Sequence, residues 1–538
     1  MTGALLLTRV ALSRDRGQLL LWALGLAAGA VVCAINIASG FGEEAERIAS
    51  LEVAIGSPAL LIGRGLPMGT SEGAFLFYMY GVVFATVFAV FAVLFAVRHG
   101  RAEEDDGTRE LLRAGVTGRL ASLGAVAAAG AIATAGLAAA MTAGFIIGGA
   151  DPVGSVWAGI TCMLVGLVFL ALGTLCSQFA STSRTASGLG AAVIVGFFVV
   201  RVVADVQASI DPQTFVGTPV LLGWLSPFSL ALIADPYGAV NPWPLIILTG
   251  AAVLGVAGAI AVERHREFGA SILAPRPGPA HAPAGLRTPL RLALRLQRGT
   301  LLAMMLAGAG VGAFAAVLAV LALTGDEQNA AIGEMIRALL GEDGPLYDLL
   351  LSYVMVLVGE CAAIAGALVI LRARREEAAG NVELVRGTAT GPGRWFGSVL
   401  ATGGISILLV LATAWIGAAI VYATAGMDAD AIWQVLGATA AQLPATTLYL
   451  GLIALAFARL PRLTSAIAWT ILAIGVVIAE LGGRLGLPGW ALTISPFMHS
   501  PLVTTAAPDW GGAIWMTATA VAAAALAIAV YRRRDLSP

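Results

Sequence analysis

The chain has 538 residues, of which 59% are hydrophobic and only 12% are charged. An ordinary soluble domain carries roughly 25% charged residues, so this composition leaves too little polar surface to cover three or four soluble domains. The net charge of −1 argues against a nucleic-acid binder, and all 31 basic residues are arginine. Because a Walker A loop needs a lysine on the phosphates, the chain cannot hold a standard P-loop. The composition predicts an all-α polytopic membrane protein.

Twelve apolar runs are long enough to cross a bilayer, which takes about 20 residues. The first is too long for a signal peptide and has no clear cleavage site, so we expect it to be retained. If both termini are cytoplasmic, 26 of the 31 arginines lie on the cytoplasmic side, as the positive-inside rule requires. We therefore predict twelve transmembrane helices in the inner (plasma) membrane. The predicted spans are 19–39, 74–97, 120–148, 156–180, 186–203, 245–262, 300–323, 349–371, 395–422, 432–458, 463–481 and 511–530.

The segments that flank particular spans carry further signals. Leucine is mixed with spaced arginines in ALLLTRVALSRDRG and LRLALRLQRG, before the first and seventh spans, which is typical of interfacial helices that lie on the inner leaflet, with simple flanking charge as the alternative. A Ser-Pro-Phe sequence precedes the sixth span at 226–228 and the twelfth at 495–497. Its serine can cap a helix that begins at the proline, and both a plain helix start and a gating role are open. The apolar stretches before it, 206–225 and 482–494, are predicted to dip partly into the membrane.

The chain contains an internal duplication. Residues 101–118 and 374–391 are identical at 9 of 18 positions without a gap, where average residue usage gives about one or two. Six spans per half return each half to the side on which it began, so we predict two parallel six-helix repeats. The first half covers 1–268 and the second 289–538, joined by a proline-rich cytoplasmic linker at 269–288.

The duplicated segment follows the second span of each half and is predicted to lie in the cytoplasm, within loops 99–119 and 372–394. Topology needs only arginines, whereas glutamates, a glycine and a leucine recur here in register. We therefore favour a docking element for another protein over a solvated loop that only sets topology. Their spacing places the following residues on one side of a short helix in each loop: Glu103, Gly107, Glu110, Leu111 and Ala114, and Glu376, Gly380, Glu383, Leu384 and Gly387.

Glu360 lies at the centre of the eighth span, where the first half has Val87. A carboxyl group at mid-bilayer is costly unless it is protonated, paired or facing water, so Glu360 is a candidate for the substrate pathway. A protonated glutamate bonded to a neighbouring helix is the alternative. The aromatic candidates for the pathway are Phe77, Tyr78 and Phe84 on the second span and Tyr353 on the eighth, with lipid-facing packing as their alternative role.

With these halves, loops and Ser-Pro-Phe turns, the chain resembles a fused permease subunit of an ATP-binding-cassette (ABC) exporter. The most similar pattern is that of exporters of polyketide antibiotics such as tetronasin and of multidrug efflux. The resemblance implies that each loop is a coupling helix docking on one of two copies of a separate ATPase, and that the substrate is a hydrophobic small molecule. ATP and magnesium would bind the ATPase, with no cofactor or enzymatic activity in this chain. The coupling residues that the resemblance implies are Glu103, Glu104, Gly107, Glu110, Leu111, Arg113, Glu376, Glu377, Gly380, Glu383, Leu384 and Arg386.

Two other classes of membrane protein are alternatives to an exporter permease. A proton-coupled secondary multidrug transporter also has twelve helices in two parallel halves, but it would use several buried carboxylates, and the sequence offers one central one. A membrane-embedded transferase would need a reactive aspartate, histidine or metal cluster at the interface, and the four histidines have no metal-ligand spacing to each other or to a cysteine. The exporter permease is therefore the favoured prediction.

Overall fold

The fold is that of a helical membrane protein, in a computed structural model that divides into two compact units, Met1–Gly278 and Pro279–Pro538. Most of the regular secondary structure in the described residues is helical. The exceptions are two strands of two residues each, β1 (Ser209–Ile210) and β2 (Gly217–Thr218), which pair antiparallel. The predicted all-α polytopic class is confirmed. The described residues are 3–56, 58–113, 118–265, 281, 286, 288–324, 346–481, 488–501, 503 and 508–534, so most of the predicted linker lies outside them.

Unit 1 is organised around its second and fourth long helices, α4 (Glu72–Val97) and α8 (Pro152–Phe179). Both are apolar around most of their circumference, and such helices are buried rather than amphipathic. Phe75, Ala85 and Phe88 of the second long helix are fully buried. A π-helical turn at Arg98–Ala102 extends α4 into α5. The helices are α1 (Ala4–Gly40), α2 (Glu44–Gly56), α3 (Pro58–Arg64), α4 (Glu72–Val97), α5 (Glu103–Asp105), α6 (Thr108–Arg113), α7 (Ala121–Ile147), α8 (Pro152–Phe179), α9 (Ser183–Gln207), α10 (Pro227–Ile233) and α11 (Pro242–His265).

Unit 2 has a corresponding order of long helices. Its second and fourth long helices, α13 and α17, supply Val358, Ile370, Ile453 and Phe457 to a separate hydrophobic core. The predicted span 432–458 is two helices, α16 and α17, which meet just before Pro444. The helices are α12 (Pro289–Thr324), α13 (Leu346–Ala378), α14 (Asn381–Arg386), α15 (Pro392–Thr424), α16 (Ala429–Ala440), α17 (Leu443–Arg459), α18 (Thr464–Leu481), α19 (Gly489–Leu492) and α20 (Gly511–Arg533).

The long helices pack in the same pairs within each unit. The first packs along the third, as α1 with α7 and α12 with α15, and the fourth packs against both the second and the sixth. Glycines allow the first pairing, because a Cβ at Gly144 would come within 2.4 Å of the Ala27 oxygen and one at Gly417 within 2.1 Å of the Ala309 oxygen. Small residues that let backbones approach are the usual basis of helix association in a membrane.

Eleven helices in the described ranges are long and apolar enough to cross a membrane. They coincide with eleven of the twelve predicted spans. The remaining prediction, 463–481, falls on α18, whose apolar part Thr464–Glu480 is shorter. The count of twelve and the cytoplasmic location of the termini remain predictions. The eleven are α1, α4 with its extension to Asp105, α7, α8, α9, α11, α12, α13, α15, α20, and α16 together with α17.

The segments that resemble interfacial helices, before the first and seventh spans, are continuous with those spans, and their position at the inner leaflet remains a prediction. Helices α1 and α12 run unbroken for 37 and 36 residues. At 1.5 Å per residue, each is longer than the roughly 30 Å hydrocarbon layer. Since the arginine-bearing turns carry no proline or glycine pair that would stop the helix, they belong to the same helix as the span instead of forming a second element.

The two Ser-Pro-Phe sequences start helices at the proline, but neither serine side chain caps its helix. The Ser226 hydroxyl instead donates to the carbonyl oxygen of Phe197 in α9, and the Ser495 hydroxyl donates to that of Gly475 in α18, both at 2.8 Å. Each serine therefore ties the turn to the fifth long helix of its own unit. The predicted side-chain cap is wrong, since neither serine oxygen accepts from the first N–H groups of its helix.

Candidate functional site

A glycine divides the segment after α4 into two short helices. Gly107 has φ +72°, in the left-handed region, and separates α5 from α6. Its N–H donates to the Glu104 carbonyl at 3.1 Å, and its own carbonyl accepts from the Glu110 N–H at 3.1 Å. Glu103 and Glu110 thus lie on different helical segments. The prediction that the loop residues share one side of a single short helix is wrong, because glycine in the left-handed conformation ends the first segment.

The loop after α13 makes the same turn. Gly380 has φ +74°, donates to the Glu377 carbonyl at 3.0 Å and accepts from the Glu383 N–H at 3.1 Å. A Cβ at either glycine would meet nothing within 4 Å, so the backbone angle rather than crowding requires glycine. The repeated sequence therefore produces a repeated main-chain geometry in the two units.

Each loop contains two consecutive glutamates, Glu103-Glu104 and Glu376-Glu377. The side chain of the second glutamate is buried in a salt bridge. Glu104 accepts from Arg101 at 2.8 Å and from Arg109 at 2.5 Å, with its side chain 3% exposed. Glu377, 1% exposed, is paired with Arg534 and accepts from the Tyr531 hydroxyl at 2.9 Å. These two carboxylates hold the loops against their own units. They are not on the surface that the sequence predicted for docking.

The first of the two consecutive glutamates in each loop is linked to the first long helix of its unit. The linking side chain is a histidine in unit 1 and an arginine in unit 2. His99 places Nε2 2.8 Å from Asp15 in α1 and Nδ1 3.2 Å from Glu103. Arg372 lies at the matching position in unit 2. It donates to Glu376 at 2.8 Å and to the Leu296 carbonyl in α12 at 2.7 Å. Both loops are thereby fixed to the helix that begins their unit.

Two matched arginines connect the loops to a second loop of the same unit. Arg101 donates to the Ser181 carbonyl, between α8 and α9, at 2.7 Å. Arg374 donates to the Pro461 carbonyl, between α17 and α18, also at 2.7 Å. Sequence reasoning assigned no role to these residues, although Arg101 and Arg374 are one of the nine identities between the two segments.

Only some of the predicted coupling residues, among those whose side chains the structure describes, face outward. Glu110 and Glu383 are exposed, Arg386 is half-buried, and Leu384 is 77% exposed. A leucine that exposed beside a carboxylate suits contact with another protein. For the remaining predicted coupling residues, Leu111 and Arg113, the main chain belongs to α6 and the side chains lie outside the described part.

Glu360 is buried in α13, 6% exposed, and its Oε1 has no hydrogen-bond partner within the described ranges. It is therefore the kind of costly intramembrane carboxyl that the sequence indicated. Its position in a helix that packs on α17 and α18 places it in the interior of unit 2.

The aromatic candidates on α4 are packed inside unit 1 rather than lining an open surface. Phe77 lies 6.4 Å from the Tyr237 ring and Phe84 lies 5.2 Å from the Phe145 ring, centroid to centroid. The Arg64 guanidinium lies 6.0 Å from the centroid of Tyr78. The side chain of Tyr353 falls outside the described residues. The role of these four aromatic residues in the pathway thus remains a prediction, and three of the four have partners within their own unit.

Comparison with known proteins identifies the family. A family profile described as the multidrug efflux system permease Rv1217c, C-terminal domain, matches residues 286–532. The chain is 31% identical over 545 residues to the multidrug efflux system permease protein Rv1217c of Mycobacterium tuberculosis (strain ATCC 25618 / H37Rv), covering 99% of this chain and 95% of that protein. This relationship and the membrane-length helices make the protein a multi-pass protein of the plasma membrane. The chain belongs to the family of multidrug efflux system permeases that includes Rv1217c.

Proposed function

We propose that this protein is the transmembrane permease subunit of an ABC exporter that moves hydrophobic or amphipathic compounds, such as antibiotics and drugs, out of the cell. The observation that carries the proposal is the pair of matched loops after α4 and α13. Each loop turns at a left-handed glycine, is anchored by an arginine to a neighbouring loop, and presents a glutamate outward. A rigid, anchored loop with an exposed acidic contact is suited to transmit motion from a partner into the helices.

The energy source in this proposal is a separate ATPase. With no lysine in the chain to serve a P-loop, ATP and magnesium bind the partner. Two loops require two ATPase copies, one for each half. Closure of the ATPases around ATP pulls the loops, and the anchoring bonds of Arg101 and Arg374 carry the movement to the loops before α9 and α18. This protein then acts as the transport subunit rather than as an enzyme.

The proposal is tested by replacing Glu110 and Glu383 together by Ala and measuring ATP-dependent drug uptake into inside-out vesicles that contain the ATPase. Truncating a charge from such an interface costs about 2 to 5 kcal/mol, so the variant should insert normally but lose most ATP-dependent transport. The matched control replaces Glu52 and Asp430, which are equally exposed but lie on the predicted outer side. Wild-type transport by the Glu110 and Glu383 variant, or equal loss in the control, would refute the coupling role.

A proton-coupled secondary multidrug transporter is the alternative, and buried Glu360 is the observation in its favour. A carboxyl with an unpartnered oxygen in the interior of unit 2 could carry a proton through a transport cycle. The two proposals differ in energy source. Transport that needs no ATPase and collapses with a protonophore would support the alternative, whereas transport that needs ATP and survives the protonophore supports the exporter.

A further inference from the structure

His99 lies between two carboxylates, and each of its ring nitrogens faces one of them. Nε2 is 2.8 Å from Asp15 Oδ2 in α1, and Nδ1 is 3.2 Å from Glu103 Oε1 in α5. The imidazole is 3% exposed and packs against the Phe95 ring, with ring centroids 4.5 Å apart. A ring that is packed in this way has little room to turn either nitrogen away from its carboxylate.

The two contacts together need two protons on the ring. A neutral imidazole has one N–H donor and one nitrogen that only accepts, whereas a protonated imidazole donates from both nitrogens. Since an ionised carboxylate only accepts, a neutral ring would leave one carboxylate facing a nitrogen lone pair. The observed arrangement is therefore complete only when His99 is protonated. Histidine is also the side chain whose charge ordinarily changes between about pH 5 and pH 8.

The neighbouring arginines do not take over the role of this proton. Arg98 places Nη2 2.8 Å from Oδ1 of Asp15, which is not the oxygen that His99 contacts. Arg14 is 3.8 Å from Glu103, and its side chain is 59% exposed, so it holds that carboxylate weakly. Helices α7 and α8, which also pack on the turn that carries His99, contain no charged residue. The charged groups close to His99 or to its two carboxylates, within the described residues, are Arg14 and Asp15 of α1, Arg98 and Arg101 of the π-helical turn, Glu103, Glu104 and Asp105 of α5, Arg109 of α6 and Arg184 of α9.

The second loop has the same link without a group that titrates near neutral pH. In the gap-free match of the two loops, His99 corresponds to Arg372. Arg372 donates to Glu376 at 2.8 Å and to the Leu296 carbonyl of α12 at 2.7 Å. A guanidinium keeps its charge throughout the physiological pH range. One loop is thus linked to its first helix through a proton that can leave, and the other through a permanent cation.

We propose that His99 is a positioning residue that holds Glu103 and the first loop against α1 only while its imidazole is protonated. When the ring becomes neutral as the pH rises, its remaining N–H keeps the shorter bond to Asp15, and the longer contact with Glu103 is lost. The first loop then becomes more mobile, and the second loop does not change. The proton-dependent bond does not depend on what the protein transports, whereas its effect on transport rests on the proposed function, in which the first loop docks on the ATPase.

The test is hydrogen–deuterium exchange of the purified full chain at about pH 6 and pH 9, on the two sides of the range in which histidine titrates. Rates are corrected for the intrinsic effect of pH, and peptides covering 99–110 are compared with peptides covering 372–383, the internal control. Exchange in the first loop should be about tenfold faster at the higher pH, the effect of losing one hydrogen bond to a charged group. Exchange in the second loop should be the same at both pH values.

Two histidine variants separate His99 from other titrating groups. His99→Gln, whose amide cannot be protonated, should give fast exchange in the first loop at both pH values. The matched control is His265→Gln, which removes an exposed histidine at the end of α11 in the same unit and should behave as the wild type.

Exchanging the matched residues tests the proposal in both directions. Arg372→His should make exchange in the second loop depend on pH, and His99→Arg should remove this dependence from the first loop. With the ATPase present, the pH profile of ATP-dependent transport should be flatter for His99→Arg than for the wild type. Thermal unfolding shows whether each variant is folded, and the comparison of the two loops in the wild type needs no variant.

Two results would overturn the proposal. One is an equal response of the two wild-type loops to pH, and the other is a first loop that still responds to pH in folded His99→Gln. A pH-dependent first loop together with transport that needs no ATPase would support the role of His99 and refute the exporter proposal instead.

Discussion

Arg101 donates a hydrogen bond from Nη2 to the main-chain carbonyl oxygen of Ser181 at 2.7 Å, and this bond joins two loops of unit 1 that are 80 residues apart in sequence. Arg374 makes the matching bond to Pro461 in unit 2. Because the acceptor in each bond is a main-chain carbonyl, the bond does not depend on which side chain Ser181 or Pro461 carries. The matched bonds therefore give each loop after the second span a fixed link to the fifth helix of its own unit.

Arg374→Gln should weaken ATP-dependent transport. The substitution removes a charge-assisted bond to the Pro461 carbonyl, and such bonds contribute about 1.5 to 3 kcal/mol, so we expect ATP-dependent transport to fall about tenfold. Arg375→Gln is the matched control, because Arg375 is the next residue and is exposed. The measurement is vesicle transport normalised to the amount of inserted protein. Equal activities of the two variants would show that the Pro461 bond carries no motion.

Glu377→Ala should destabilise the protein strongly. It leaves Arg534 and the Tyr531 hydroxyl without their buried partner, and removal of one member of a buried ion pair costs about 3 to 5 kcal/mol. Glu383→Ala, on the exposed side of the same loop, should change stability by no more than about 0.5 kcal/mol. Thermal unfolding of both purified variants in one detergent provides the comparison. A stable Glu377→Ala variant would contradict the anchoring role.

These contrasts show where sequence reasoning succeeded and where it stopped. Hydropathy located each of the eleven membrane-length helices in the described ranges, because a continuous apolar run in a membrane protein leaves few other structures. The sequence showed that the glutamates of the two loops correspond to each other. It did not show which of them are exposed. Whether Glu377 faces solvent depends on Arg534, which is 157 residues away in sequence, and no local pattern contains that contact. The break at Gly107 did have a local signal, since a glycine in a helical pattern often marks a helix end.

Gly380→Ala should cost about 1 to 2 kcal/mol, the penalty for a side chain in the left-handed region. A Cβ there would meet no neighbour, so the cost comes from the backbone angle alone. Gly397→Ala is the matched control, because Gly397 lies inside α15, does not have a left-handed φ and has equally open surroundings. We expect a lower unfolding temperature for Gly380→Ala only. If both alanine variants have the same unfolding temperature as the wild type, the left-handed conformation at residue 380 does not contribute to stability.

The working assembly should contain one copy of this chain and two copies of the ATPase. Both matched loops already lie in one polypeptide, so a second permease copy would leave four loops for two nucleotide-binding subunits. The purified 54.7 kDa chain alone should hydrolyse no ATP, and addition of the partner should restore hydrolysis. Native mass spectrometry of the co-expressed complex gives the count. An assembly with two copies of each chain, or hydrolysis by this chain alone, would contradict the prediction.

Glu360→Gln should alter which compounds are transported while leaving expression unchanged. Glutamine keeps the size and most of the hydrogen-bonding capacity of glutamate but removes its ability to carry a charge, so the variant separates an electrostatic role from a packing role. If the buried carboxyl faces the pathway, it favours a cationic substrate, and a charged hydrogen bond lost there should weaken transport of a cationic drug about tenfold. Transport of a neutral drug of similar size should be unaffected, which makes it the internal control. Val87→Gln, at the matching position of α4, tests whether any amide at this depth has the same effect. If Glu360→Gln transports both drugs as the wild type does, the charge has no transport role and Glu360 serves the packing of α13 alone.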